Sequence, residues 1–350
     1  MLSGFITLKD GTVIEITDKD LVNNSLKITM STCREFAFDI GSFNAGMMNI
    51  SIFDDEALEH EFDGAEIRLS VVTETEEETV STPLGIYVVD GGRTKRQRNV
   101  VKLTAQDYSS MFDVEFPEEL RNSSYTAYNF VSMICERVGV VLANSNFDEF
   151  PNANEYFKPT SASIQTYRDA VMWTAQLLCA NAIINRDGEL ELRPARYTES
   201  NGEIVIDRKS DGSDRANIQF SDVRTYVKYL TAYSGNTPKE YVSDIAPSDA
   251  QAREASLSLY KNPLLDGVSE YNQDLINEAI LEYLDNYAPR KIKMQMFFDP
   301  TIQLGDTMRC SGGKVDVRRS IVGVVTSISA VYRGMMTVVC AAPQAVKKAV

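Results

Sequence analysis

The stretch Asp63-Gly64-Ala65-Glu66-Ile67-Arg68-Leu69-Ser70-Val71 shows the pattern that decides the fold of the first third of the chain. From Ile67 to Val71, apolar and polar side chains alternate, a period of two that predicts a β-strand with one buried face. The same alternation occurs at residues 26–30 and 36–40, and strand-like runs follow at 84–89 and 100–105. Short strands between Gly, Asn and Asp clusters predict a sandwich or barrel over residues 1–112.

Near residue 112 the period of the apolar residues changes. Apolar residues three and four apart predict one helix from Ser124 to Gly139 and a second over about 163–179. A hairpin follows, because Asp187-Gly188 supplies the positive φ angles of a tight turn between two short apolar runs. Residues 113–200 are therefore predicted to form a small inserted α+β domain.

The last part of the chain returns to strand-like patterns. Residues 201–214 are rich in Gly, Ser and charge and form the best linker candidate. A helix is predicted near 270–287, ended by Pro289. Strand-like runs occur at 218–220, 225–233, 292–298, 306–310, 315–328 and 335–341. Residues 201–350 are predicted to form a second β-rich domain, which makes the chain a β-rich α+β protein.

The amino-acid composition argues against several classes of function. The 350 residues include 35 Lys and Arg against 50 Asp and Glu, a net charge of −15, which disfavours a protein that reads duplex DNA through clustered cations. No run of 18 apolar residues and no export signal is found in the sequence, so we expect synthesis in the bacterial cytoplasm and no membrane insertion.

Cysteine and histidine usage argues against most catalytic sites. The five cysteines lie 30 or more residues apart, which fits neither a disulfide framework nor a zinc site. The single histidine, His60, lies between acidic residues and is expected to be solvated or at an interface. We therefore predict no catalytic residue, no metal and no cofactor.

The densest charge in the sequence is acidic. Residues 54–78 hold eleven Asp and Glu and include Glu74, Glu76, Glu77 and Glu78. Two such carboxylates would suffice for a glycosidase, but that enzyme needs one of them desolvated in a pocket. A dense run of acids is more typical of a solvated surface, and we favour that interpretation.

A basic stretch follows directly. Between Gly91 and Gln106 there are five cations and no acid, and the first four are Arg93, Lys95, Arg96 and Arg98. Opposite patches on one chain allow copies to meet head to tail and close a ring. The alternative, a solvated hairpin tip, stays open, and contact with nucleic acid is disfavoured because no aromatic residues interleave with the cations.

Several motifs, taken in order, resemble the baseplate hub proteins of bacteriophage tails and phage tail-like particles. In the middle of the chain they include Tyr167-Arg168-Asp169-Ala170-Val171-Met172-Trp173-Thr174-Ala175-Gln176, and in the last part Leu304-Gly305-Asp306-Thr307-Met308 and the helix before Pro289. The others are residues 33–39, 63–69, 83–90, 101–107 and 187–190. The similarity covers about residues 25–342.

The resemblance implies two tail-tube-like β-barrel domains in each chain, separated by the α+β insert. It also implies a homotrimer whose six barrels adapt a six-fold tail tube to a three-fold spike. Implied partners are the tail tube protein, the spike protein, the tape measure protein and other baseplate proteins, with DNA at most in transit. By eye, no internal repeat links residues 1–110 with 215–342, so the duplication rests on the resemblance.

Two other functions stay open at this point. A tail-associated peptidoglycan hydrolase would have to use paired carboxylates, because the chain has one histidine. A receptor-binding or glycan-binding tail-tip protein would expose clustered aromatic residues, whereas the 16 Tyr and 15 Phe are spread at core-like spacing.

Overall fold

The computed structural model describes most of the chain. The described residues are 1–32, 40–54, 60–74, 78–195, 203–206, 216–220, 225–244, 253–284, 290–311, 319–342 and 345–347.

Strands dominate the described residues. In chain order they are β1 (Leu2–Thr7), β2 (Val13–Thr17), β3 (Lys27–Ser31), β4 (Met47–Phe53), β5 (Glu66–Glu74), β6 (Thr79–Val89), β7 (Lys95–Gln97), β8 (Val100–Asp107), β9 (Ala180–Ile184), β10 (Leu190–Pro194), β11 (Glu203–Ile206), β12 (Ala216–Phe220), β13 (Thr225–Ser234), β14 (Thr237–Val242), β15 (Arg253–Ser258), β16 (Arg290–Phe297), β17 (Thr307–Ser311), β18 (Arg319–Val331), β19 (Met335–Ala342) and β20 (Ala345–Lys347). The α-helices are α1 (Ala127–Val138), α2 (Tyr167–Leu177) and α3 (Glu270–Tyr283).

All three predicted helices are confirmed, and their ends have identifiable causes. Helix α1 ends at Gly139, whose φ of 80° is the left-handed conformation that glycine adopts at little cost. Helix α2 starts at a capping box, in which Thr166 and Asp169 each accept a backbone N–H from the other. Helix α3 ends at Tyr283, earlier than predicted, and the residues up to Pro289 lie outside the described ranges.

One sheet runs through both ends of the chain. Its strand order is β12-β16-β19-β18-β3-β4-β8-β6-β5-β1-β2. The first β-rich region meets the last where β3 pairs antiparallel with β18, from Ser31 opposite Ser327 to Lys27 opposite Val331. We call this pairing the β3–β18 junction. It makes one continuous surface from strands about 300 residues apart in the chain.

Each half of the sheet covers its own hydrophobic core. The first core contains Leu2, Ile50 and Phe62, and the second contains Ile292, Met294 and Val338. Met30 and Phe298 pack against both cores, so the two halves share apolar contact as well as backbone pairing.

A third core belongs to the middle of the chain. Helices α1 and α2 and the hairpin β9–β10 pack around Phe130, Val171 and Leu190. Described residues from two later segments, 227–241 and 257–284, join this same core, among them Leu230 and Ile280. The division into domains at residues 112 and 200 stays a prediction, and the packing of these two segments adds part of the last region to the middle one.

The β-rich α+β fold class is confirmed. The predicted runs at 26–30, 67–71, 84–89 and 100–105 lie in β3, β5, β6 and β8. The linker prediction is wrong at residues 203–206, because these form β11 and pair parallel with β17. The predicted strand at 36–40 lies mostly outside the described residues.

The capping box of α2 gives a testable difference between two threonines. Thr166 caps its helix through its side chain, whereas Thr126 stands at the same position of α1 without a side-chain cap bond. We expect Thr166→Ala to lower the free energy of unfolding by roughly 1 to 2 kcal/mol. The matched Thr126→Ala should lower it much less. Urea unfolding followed by fluorescence of Trp173, the only tryptophan, measures both, and equal losses would contradict the assignment.

Candidate functional site

The acidic patch lies at the tip of the hairpin β5–β6. Glu74 ends β5 and Glu78 directly precedes β6, and both are exposed. Glu76 and Glu77 lie outside the described residues. The hairpin exposes polar and β-branched side chains from Thr73 onward, which is typical of an arm that solvent surrounds.

The basic patch lies at the opposite end of β6. Arg93 is in the turn after this strand, Lys95 and Arg96 belong to β7, and Arg98 is in the following turn with φ 55°. All four are exposed. Arg93 pairs with Asp90 at 3.0 Å, and Arg96 donates to the His60 carbonyl at 2.6 Å. Within the described ranges, Lys95 and Arg98 make no ion pair.

The two patches do not neutralise each other within one chain. Strand β6 has eleven residues, so its ends are about 35 Å apart, several times the distance over which physiological salt screens charge. The sequence thus predicts both patches, and the structure separates them along one strand. That these residues contact other subunits stays a prediction.

The side chain of His60 contacts neighbouring side chains of its own chain. Its Nδ1 lies 2.9 Å from Asp54 Oδ2, and its ring meets Phe62 edge to face with centroids 6.0 Å apart. The side chain is 17% exposed, which does not fit a fully solvated histidine, and the alternative of a histidine at an interface stays a prediction.

A buried polar cluster lies where the first β region meets the middle unit. Asp107, at the end of β8, accepts the Gly46 N–H at 2.7 Å and the Ser109 N–H at 3.1 Å. It also accepts the Ser109 hydroxyl. One carboxylate therefore fixes the start of β4 and the turn that leaves β8.

Arg168, on α2, completes this cluster. Its guanidinium donates to the carbonyls of Phe43 at 3.0 Å and Ser109 at 2.7 Å, and it pairs with Asp113 at 2.9 Å. It also lies over the Phe43 ring, 5.2 Å from the centroid. Five planar donors allow arginine to join several loops at once, which lysine could not do.

Two further arginines join the hairpin β9–β10 to the loop before β17. Arg193 pairs with Asp306 at 3.3 Å and donates to the Leu304 carbonyl. Arg186 donates to the Ile302 carbonyl at 2.6 Å, while its Nε is buried without a hydrogen bond. These contacts hold the middle unit to the second half of the sheet.

A cleft of about 550 Å³ opens on the outer face of β1, β2, β5 and β6. Small polar residues such as Ser3, Ser70 and Ser81 form its floor, and Arg186 and Asp187 border it. Arg68 in the cleft pairs with Glu66 at 2.6 Å. The lining mixes polar and apolar residues and the cleft is open to solvent, whereas pockets that bind small molecules enclose most of the ligand surface.

Among the described residues, the side chains that most often bind metal ions do not come together in one place. No group of three or more His, Cys, Asp or Glu is placed to hold a metal ion among these residues. Nor does any described helix combine the length and the apolar character that crossing a membrane requires.

Comparison with known proteins gives matches by structure alone. No protein-family model and no curated protein sequence matches the chain. A tail protein from Neisseria meningitidis MC58 matches with a TM-score of 0.55 and 12% identity, covering 97% of this chain and 96% of that one. The 43 kDa tail protein of prophage MuSo2 from Shewanella oneidensis matches with a TM-score of 0.56 and 8% identity over 100% of both chains.

The chain has the fold of phage tail proteins. A chain of the Francisella PdpA-VgrG complex also matches, with a TM-score of 0.51 and 8% identity, and here the chain spans 60% of the longer protein. The predicted resemblance to tail proteins is thereby confirmed at the level of the fold.

The contribution of Asp107 to the free energy of unfolding is expected to depend on pH. Burial raises the pKa of Asp107 from 3.8 to about 6, although hydrogen bonds from Ser109 and Gly46 act to lower it. The folded state therefore holds this proton more tightly than the unfolded chain does. The stability that Asp107 contributes is fully present below pH 3.8 and is lost as the pH rises through about 6.

We expect the stability difference between wild type and Asp107→Asn to shift with pH. Between pH 4 and pH 7 the wild type should lose on the order of 3 kcal/mol relative to the variant. Urea unfolding at both pH values measures this. Asp113→Asn is the control, because it removes a solvent-exposed partner of the same Arg168 and should change the difference much less. A pH-independent difference for Asp107→Asn would contradict the assignment.

Proposed function

We propose that this protein is a structural baseplate hub of a phage tail or phage tail-like contractile particle. Three copies form a ring that adapts a six-fold tail tube to a three-fold spike. The observation that carries the proposal is the match to two tail proteins over essentially the whole length of all three chains. A match of this extent includes both β-rich regions and the unit between them.

The sheet supports a role in which each chain supplies two similar units to a ring. The β3–β18 junction holds two β units side by side, each with its own core. Three such chains would supply six units around an axis, the number that a six-fold tube requires. The two units are the proposed tail-tube-like barrels.

One register row on the solvent face of the joined strands carries no charge. It crosses six strands through Gln295, Thr337, Ser329, Thr29, Met47 and Gln106. Exposed lysines lie on the same face two or four positions along their strands, at Lys27, Lys102 and Lys293, so the row and not the whole face is free of cations. DNA is proposed only as a molecule in transit.

The remaining parts of the proposal concern partners and chemistry. We propose contacts with the tail tube protein, the spike protein, the tape measure protein and other baseplate proteins. The patches formed by Glu74, Glu76, Glu77 and Glu78 and by Arg93, Lys95, Arg96 and Arg98 are proposed subunit contacts. The protein acts by shape and charge, without an enzymatic step, in the baseplate of a virion or tail-like particle.

Native mass spectrometry of the purified full chain, alone and with a tail tube protein of the same particle, tests the hub. We expect three copies per assembly and, in negative-stain images, a ring with a central opening. The same preparation is incubated with peptidoglycan and with a glycan array. A chain that stays monomeric in both samples and cleaves peptidoglycan or binds glycans would overturn the proposal.

A further inference from the structure

Strand β6 has a free edge over its first half. It pairs with β5 along its length, whereas β8 covers its other side only at residues 87–89. Within the part of the chain that the structure describes, no hydrogen bond reaches that other side of residues 79–83, and the next carbonyl, that of buried Leu84, accepts the Tyr87 hydroxyl. Backbone groups are therefore unpaired over roughly 15 Å of strand.

Hydrogen bonds on the far side of β5 show which groups of β6 point outward. The Val72 N–H donates to the Met1 carbonyl at 2.7 Å, and the Met1 nitrogen donates to the Val72 carbonyl at 2.6 Å. The backbone groups of Val72 thus point away from β6. Because Ser81 lies opposite Val72, the N–H and carbonyl of Ser81 point away from β5 and into solvent.

The direction alternates along the strand, so Thr79 and Pro83 also point outward. Pro83 has no N–H, which leaves the N–H groups of Thr79 and Ser81 as the free donors of this edge. No charged side chain interrupts the sequence Thr79-Val80-Ser81-Thr82. Edge strands usually carry lysine, proline or a bulge that prevents pairing, and here Pro83 and the register shift at Leu84 lie together at the far end of the edge.

Strand β7 is also an exposed edge. The Asp54 N–H donates to the Asn99 carbonyl at 2.9 Å, so the alternating groups of Val101 face β4 in the same way. Arg96 lies opposite Val101, and its own N–H and carbonyl therefore point away from β8. All three residues of β7 are exposed.

Charge identifies β7 as a partner for the β6 edge. The β6 edge begins beside Glu74 and Glu78, whereas β7 carries Lys95 and Arg96 and is followed by Arg98. The free edge occupies the first half of β6 and β7 lies beyond its other end, roughly 20 Å further along the strand, so the two edges cannot pair within one chain. A pairing between different surfaces of two copies is head to tail, and such contacts close into rings.

We propose that the free edge of β6 in one copy pairs with β7 of a second copy, continuing the sheet across the subunit boundary. This inference rests on the proposed ring of identical subunits, and it names the backbone contact that joins them. Backbone hydrogen bonds hold the two strands together, and the opposite charges select the partner edge.

Ser81→Pro tests the edge directly. It removes the outward N–H without removing a hydrogen bond to β5, so the fold should persist while self-association weakens at least roughly tenfold. Val13→Pro is the matched control, because it places proline on β2, the strand at the far end of the same sheet. The dissociation constant is measured by analytical ultracentrifugation of the full chain, with circular dichroism to verify the fold.

Charge exchange gives a second test that does not depend on proline. Lys95→Glu with Arg98→Asp should weaken association, and adding Glu74→Lys with Glu78→Lys to the same chain should restore it. Raising the salt concentration should weaken the wild type and have a smaller effect on the Lys95/Arg98 variant.

Mixing two association-defective variants tests the head-to-tail arrangement. Ser81→Pro chains retain an intact β7, and Lys95→Glu/Arg98→Asp chains retain an intact β6 edge. Mixed together, they should form heterodimers through the one intact pair and no closed ring.

The outcomes separate this inference from the proposed function. If the wild type forms trimers and neither the edge nor the charge variants change the dissociation constant, the strand pairing is wrong and the hub proposal stands. If Ser81→Pro and Val13→Pro weaken association equally, the pairing is also wrong. If the wild type stays monomeric with and without the tube protein, the hub proposal itself fails.

Discussion

The fold depends on the antiparallel pairing of β3 with β18. These strands join the beginning and end of the chain, and the hydroxyl of Ser31 reaches the Thr326 carbonyl across 295 residues of sequence. Such a contact closes a very long loop, and closing it costs conformational entropy that the packing around the two strands must offset. Without it, the two β units would be separate bodies whose relative position nothing in the sheet would define.

Contacts from the middle unit help to fix how the two halves of the sheet lie relative to each other. Arg193 and Arg186 tie its hairpin to carbonyls before β17, while Arg168 ties α2 to the loop before β4. Each arginine donates to backbone carbonyls of the other part, which fixes position more tightly than an exposed ion pair does. The α+β unit therefore holds the two halves of the sheet in a fixed relative position, which the proposed ring segment would require.

The sequence predicts what depends on local pattern. The helices follow from apolar spacing and from caps that can be read directly, such as Thr166 with Asp169 and Gly139. The charged patches are also visible, because they are runs of like residues. Strand pairing between distant segments leaves no local sign, so neither the β3–β18 junction nor the free edge of β6 could be predicted. The role of Asp107 could not be predicted for the same reason. The hydrogen bond from Gly46 and the charge of Arg168 act on it only in the folded chain.

The two β units also show why the implied duplication is absent from the sequence. Both present alternating strands to one sheet, yet their cores are filled differently. The first buries Phe62 and Tyr87 among Ile and Leu, whereas the second relies on Met294, Met296, Met308 and Met336, with no buried aromatic ring among its described members. Methionine is flexible enough to fill an irregular space that aromatic rings would have to match in shape. If the two units share an architecture, as proposed, backbone pairing and alternation are all that it demands, and both can survive replacement of the side chains that fill the core. A common fold at 8 to 12% identity with other tail proteins follows from the same freedom.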